Sequence, residues 1–164
     1  MQVHIRWMIR YDMEEVLSIE KESYINGWEE EDFLHYLRSR NTIAMVAEYK
    51  DKILGYMVYE LHKNHLELHN LAVHTGFRHQ DIGSQMVKKL IDKLSSNHRI
   101  RICVNIRETN LAAQLFFKSQ GFVAVQVKRN FFVDSGEDSF VMEYSIAPDE
   151  DFQPENRLAR YEEV

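Results

Sequence analysis

The sequence predicts a mixed α/β (α+β) domain over residues 1–146, with the element order β-α-α-β-β-β-α-β-α-β-β, about four helices and a mostly antiparallel seven-stranded sheet. Three observations carry that expectation. Lys50-Asp51-Lys52 and Lys63-Asn64 divide the chain before Val73 into three β-rich runs at hairpin spacing, an antiparallel meander. Met86, Val87, Leu90, Ile91 and Leu94 recur at spacings of three and four, the apolar face of a helix lying on a sheet. Ile100, Ile102, Val104 and Ile106 then alternate with Arg101, Cys103 and Asn105. A strand therefore follows that helix and completes a β-α-β unit, which places it parallel to the strand ending at Val73.

The remaining elements follow from local signals. Val3, Ile5 and Trp7 alternate with His4 and Arg6, an opening strand. Asp12 and Glu15 form a D-x-x-E capping signature ahead of the apolar stripe Val16, Leu17 and Ile19. Asn26-Gly27 marks a turn before a second helix, WEEEDFLHYLRSR. Its acids at 29–31 and its Arg38 and Arg40 sit at the ends that the helix dipole favours. Thr109 and Asn110 cap a short helix, LAAQLFFKSQ, which stops at Gly121. Strand-like runs near 122–129 and 138–145 close the sheet. The tail, residues 147–164, holds both prolines and is acidic, which reads as a flexible extension.

The stretch from Leu66 to Leu94 constrains function most. A strand ending near Val73 runs through a polar loop, Arg78-His79-Gln80, into a helix admitted by Gly83 and Ser84. Such a junction leaves backbone N–H groups uncovered at the helix start, where an anion is stabilised. An ordinary strand-to-helix connection accounts for the same residues.

Composition narrows the classes. The 164 residues, 45% hydrophobic and 28% charged, suit one folded domain. The net charge of −6 is concentrated in the tail, where six acids face Arg157 and Arg160, so the body is nearly neutral and lacks the basic footprint of a nucleic-acid binder. One cysteine, Cys103, excludes an internal disulfide and fits a reducing compartment. No charged-then-apolar leader and no membrane-length apolar run is visible, so a cytoplasmic protein is expected. The eight histidines show neither HExxH nor paired CxxC spacing, and no metal is expected.

This element order, with RHQDIGS and the later VNIRETNLAAQLFFKSQGF, resembles the GNAT-type N-acetyltransferases across nearly all of residues 1–146. WEEEDF, the N-LAV-H stretch and RNFF at 129–132 are similar to one branch, the bacterial ribosomal-protein N-terminal alanine acetyltransferases. Those enzymes read PWSE-F, N-AVHP, LEVR-SN-AA--LY---GF and RRNYY at these places. The resemblance implies acetyl-CoA as co-substrate and a protein or peptide N-terminus as acceptor, with a ribosomal protein as one candidate, and no direct nucleic-acid or membrane partner. It implies that the backbone of Leu71, Ala72 and Val73 bonds the pantetheine arm like an added strand. It also implies that Arg78, His79, Gln80, Asp81, Ile82, Gly83 and Ser84 hold the pyrophosphate, and that Asn110 contacts the cofactor.

Three departures stand out. The family loop pattern R-x-x-G-x-G has Asp81 at its first glycine, which sets a carboxylate beside a pyrophosphate and is expected to weaken coenzyme binding. The family's general base falls at Asn105 and its tyrosine acid at Phe117, neither of which transfers a proton. Glu67 and His69, two apart on the strand entering the cradle, are the substitute bases, and Tyr36, Tyr56, Tyr59 and Tyr144 the candidate acids. Three readings stay open: an acetyl-CoA-dependent N-acetyltransferase of protein or peptide N-termini, slowed by these losses; a degenerate acetyltransferase fold that binds coenzyme or protein without turnover; and a small-molecule amine acetyltransferase, since the loop at Asn26-Gly27-Trp28 lacks the family's proline.

Overall fold

The computed structural model describes residues 1–146, so the acidic tail expected to be flexible lies outside the described residues. Seven strands form one sheet in the order β1-β2-β3-β4-β5-β7-β6. They are β1 (His4–Trp7), β2 (Thr42–Tyr49), β3 (Lys52–Leu61), β4 (His65–Val73), β5 (Arg101–Arg107), β6 (Val123–Lys128) and β7 (Ser139–Ser145). The helices are α1 (Met13–Ser23), α2 (Glu30–Leu37), α3 (Ile82–Ile91) and α4 (Leu111–Ser119). Strand and helix order agree with the sequence reading. Two short 3-10 turns, at Arg10–Asp12 and Thr75–Phe77, are additional.

The chain divides into two compact units. The first joins Met1–Leu61 to Leu68–Asp92. Its β1, β2 and β3 are antiparallel, and the turn joining β2 to β3 holds Lys50 and Asp51 at φ 50° and 62°, the left-handed pair that a tight hairpin requires. Residues 53–59 of β3 are buried without a break, because helices cover both faces. On one face Val16 and Ile19 of α1 and Phe33 of α2 pack with Val46, Tyr56, Val58 and Ala72. On the other, Met86 of α3 comes against Gly55, where an added Cβ would lie 2.9 Å from its methyl carbon and 3.0 Å from the Ala72 carbonyl oxygen. Full burial of side chains of this size contributes roughly 1.5–3 kcal/mol each.

The second unit consists, among the described residues, of His62–Glu67 and residues 93–146. Its β5, β7 and β6 pair antiparallel, with Ile102, Cys103, Ile106, Phe122, Val141 and Met142 in its core.

Two local expectations change. The D-x-x-E pair does not cap α1: Asp12 makes no cap bond to that helix. Its carboxylate instead takes a two-pronged bond from Arg6, at 2.8 and 2.9 Å, and accepts the Ile9 N–H at 2.8 Å. Glu15 accepts the Ile53 N–H at 3.0 Å, tying α1 to β3. Val3 just before β1 is buried, but the alternation expected for the strand does not hold at Trp7, which is 70% exposed.

The Arg6 guanidinium holds the Asp12 carboxyl below the usual carboxylate range, against the opposing effect of burial. A depressed carboxyl contributes stability above its unfolded value, near 3.9, and loses it as pH falls through the folded value. We therefore expect Asp12→Asn to cost about 1–3 kcal/mol at neutral pH, measured by urea denaturation, with the gap to the wild type closing in strong acid. A gap independent of pH would contradict this assignment.

Candidate active site

Apart from Glu67, the residues singled out on β4 and its following loop belong to the first unit. At the strand end, the Leu71 carbonyl accepts the Tyr24 hydroxyl at 2.6 Å, and the Val73 carbonyl accepts Arg78 Nε at 3.2 Å. A second guanidinium nitrogen of Arg78 donates to Ser23 Oγ at 3.0 Å. Burial, reinforced by the Glu20 carboxylate, pushes the Tyr24 phenol up to about 12, so it stays a neutral donor. Arg78 thus anchors the strand end, a role the sequence reading did not give it.

Beyond Val73 the backbone is shaped by two left-handed residues. His79 has φ 61°, and Asp81 has φ 69° and ψ 11°. α3 begins at Ile82, directly after Asp81, one residue earlier than the glycine suggested. Asp81 is exposed and its side chain makes no cap bond to the helix. The first turn of α3 contains no acid. Its N–H groups therefore start a helix whose own cap residue does not cover them, and this donor set fits a pyrophosphate. The carboxylate of Asp81 opposes that fit only through solvent-screened repulsion.

Upstream on β4, His69 Nε2 lies 2.8 Å from Glu60 Oε2. The Tyr36 ring packs on the imidazole with centroids 4.7 Å apart, and Trp28 stacks on Tyr36 at 4.5 Å and 8°. A carboxylate on one ring nitrogen fixes the tautomer and leaves the other nitrogen as the basic one. Glu67 belongs to the second unit, where its Oε2 lies 3.0 Å from His62 Nε2.

One residue that sequence patterns did not single out, Glu20, organises part of this unit. Glu20, only 2% exposed, accepts the Trp28 N–H with Oε1 and Asn70 Nδ2 with Oε2, each at 2.9 Å. Burial raises its pKa despite those two donors. An added Cβ at Gly27 would lie 3.0 Å from Glu20 Cγ, so the loop closes on the carboxylate because that position is glycine. The I-N-G-W turn was the one available signal; the pairing with Asn70 and the Tyr24 contact depend on tertiary proximity.

In the second unit the two substituted positions carry no proton chemistry. Asn105 Oδ1 accepts the Ser139 hydroxyl at 3.0 Å. Phe117 is 5% exposed, edge-on to Phe116 and Phe122 with centroids 5.1 Å from each. Asn110 caps α4, its Oδ1 accepting the Ala113 N–H at 3.1 Å. Of the candidate acids, Tyr56 and Tyr59 are fully buried and their hydroxyls find no partner among the described residues. Burial pushes the Tyr59 phenol up to about 12. Tyr144 packs on Phe122 with centroids 5.7 Å apart.

The profile of the acetyltransferase (GNAT) family matches residues 13–122. The ribosomal protein bS18-alanine N-acetyltransferase of Salmonella typhimurium is 23% identical over 139 residues, covering 83% of this chain and 93% of that protein. The crystal structure of the ribosomal-protein-S18-alanine N-acetyltransferase from Escherichia coli superposes with a TM-score of 0.79 at 21% identity, covering 93% of this chain and all of that one. Arabidopsis thaliana Naa50, in complex with the bisubstrate analogue CoA-Ac-MVNAL, superposes with a TM-score of 0.75 at 17% identity, covering 89% of this chain and 100% of that one.

The left-handed backbone at Asp81 sets an expectation. Glycine adopts it freely, aspartate at modest cost and a β-branched residue poorly. Asp81→Gly is expected to change stability by less than about 1 kcal/mol, whereas Asp81→Val should cost about 1–2 kcal/mol in equilibrium urea unfolding. Equal stability of the two variants would show that position 81 does not hold positive φ in solution.

Proposed function

The chain belongs to the acetyltransferase (GNAT) family, and on that premise we propose that it transfers an acetyl group from acetyl-CoA to the α-amino group at the N-terminus of a protein or peptide. The observation that carries the acceptor chemistry is the His69–Glu60 pair on the strand that leads into Leu71–Val73. A relative named for the alanine of ribosomal protein bS18 supports a ribosomal-protein N-terminus as the first acceptor to test. A cytoplasmic site of action goes with that acceptor.

In this reading the backbone of His79, Gln80, Asp81, Ile82, Gly83 and Ser84 holds the pyrophosphate at the start of α3. Leu71, Ala72 and Val73 hold the pantetheine arm, and the Val73 N–H polarises the thioester carbonyl. Acetyl-CoA supplies the thioester, whose C–S bond breaks as the amine nitrogen forms the new C–N bond. The second nitrogen of the His69 ring takes the proton that the amine gives up, and Glu60 holds the imidazole and stabilises its charged form. Asn110, in the second unit, keeps its cap on α4.

Magnitudes make the missing acid and base tolerable. An α-amino group near pKa 7.7–8 is roughly a tenth neutral at pH 7, against well under a thousandth for a lysine near 10.4. A thiol near 8.5 leaves as a thiolate and collects its proton from solvent, so Phe117 does not stop the reaction. The acceptor therefore suits a chain in which Asn105 and Phe117 stand at positions where the family it resembles has ionisable groups.

The test is thiol release from acetyl-CoA over peptides with free or blocked N-termini. Turnover is expected only with free α-amines. His69→Ala should lower kcat by about 10²–10⁴, and Glu60→Gln by less. Asp81→Gly should tighten coenzyme binding in calorimetry. Saturable coenzyme binding without thiol release from any free N-terminus would overturn the acceptor assignment. An unchanged kcat in His69→Ala would remove the base.

A further inference from the structure

The turn between β3 and β4 contains a cluster that the acetyl-transfer reading does not use. In the run E-L-H-K-N-H-L-E-L-H, residues 60–69, histidines and glutamates alternate outward from the Lys63-Asn64 turn. On strands, alternate residues share a face, so this spacing gathers ligand-type side chains as HExxH does on a helix. His62, His65 and Glu67, all in the second unit, each offer one ligand atom, and the three atoms lie within 4.8 Å of one another.

The surroundings make this a built cluster. The His62 N–H donates to the His65 carbonyl at 3.0 Å and closes the turn, while Arg99 Nε donates to the His62 carbonyl at 2.6 Å. The two imidazoles stack in parallel, centroids 4.4 Å apart at 1°. His65 is 5% exposed, and its Nδ1 lies 3.0 Å from Asn64 Oδ1. That bond selects the tautomer in which Nε2 carries the lone pair, the outer-sphere support that metal-binding histidines commonly have. His62 Nε2 and Glu67 Oε2 are 3.0 Å apart, close to the roughly 3.3 Å between neighbouring ligands of a tetrahedral ion with bonds near 2.0 Å. Arg101 Nη2 donates to the same Asn64 Oδ1 at 3.5 Å, and the Glu67 carboxylate supplies the negative charge that a cation beside this guanidinium needs.

We propose that His62, His65 and Glu67 bind one divalent first-row transition-metal ion of the zinc type, with a fourth position left to water. Two imidazoles and a carboxylate suit zinc, with copper and nickel as the stronger competitors in the usual affinity order. Glu67 then serves as a ligand, which leaves His69 as the base on β4. The ion cross-links the two sides of the hairpin turn.

Zinc titration of the full chain by calorimetry tests this, with cobalt absorption as a second readout that does not depend on acetyl transfer. One zinc per chain and a tetrahedral cobalt band are expected. Glu67→Gln and His62→Gln should each weaken zinc binding by about 10–100-fold or more, and exposed His98→Ala should leave it unchanged. Circular dichroism of each variant in chelator verifies that the fold is retained. The absence of saturable zinc binding by the wild type overturns the proposal. So does wild-type affinity in both folded ligand variants, or loss of binding in His98→Ala.

Discussion

The Glu20 carboxylate is buried with two hydrogen bonds, from the Trp28 N–H and the Asn70 amide, to offset its lost hydration. An isolated buried carboxylate is costly, so these two donors are bound as firmly as the carboxylate needs them. One donor belongs to the loop between α1 and α2, and the other to β4, just before Leu71. The position of that loop is thereby tied to the strand on which the acceptor chemistry is proposed. Gly27 admits the approach, and Trp28, once held, stacks on Tyr36, which packs on His69. A single buried charge thus organises a chain of contacts that ends on the proposed base.

The loop after Val73 follows a different logic. Its shape comes from positive φ at His79 and Asp81, and from the absence of a side-chain cap on α3. The family's glycine at the second of these positions is a conformational requirement, which aspartate satisfies at a cost. Because the Asp81 side chain is exposed, its charge affects an anion through screened electrostatics, and the backbone donors keep their direction. Conformation and charge therefore separate at this residue: the first is preserved and the second is altered.

The replaced positions in the second unit have settled into structural roles. Asn105 accepts a hydroxyl from Ser139, and Phe117 is enclosed by other phenylalanines. Neither is a vestige held open for proton transfer. The chemistry proposed for this chain draws instead on a histidine and a glutamate of neighbouring strands, suited to an amine that is already partly neutral near physiological pH.

Element order, strand number and the location of the loop were set by local pattern: the period of two in β5, the spacing of three and four in α3, and the turn residues between β2, β3 and β4. These signals are short-range, so they survive in one sequence read alone. The resemblance carried by RHQDIGS and NLAV reached the family for the same reason, since the motif lies on one contiguous stretch. Tertiary structure decided what the polar side chains do. Asp12 left its helix for Arg6, Arg78 went to the Val73 carbonyl, Glu20 and Asn70 met across 50 residues, and His69 found Glu60 on another strand. Hydrogen bonds and ion pairs are chosen by proximity in space, and a carboxylate has the same local signature whether it caps a helix, anchors a loop or orients a histidine.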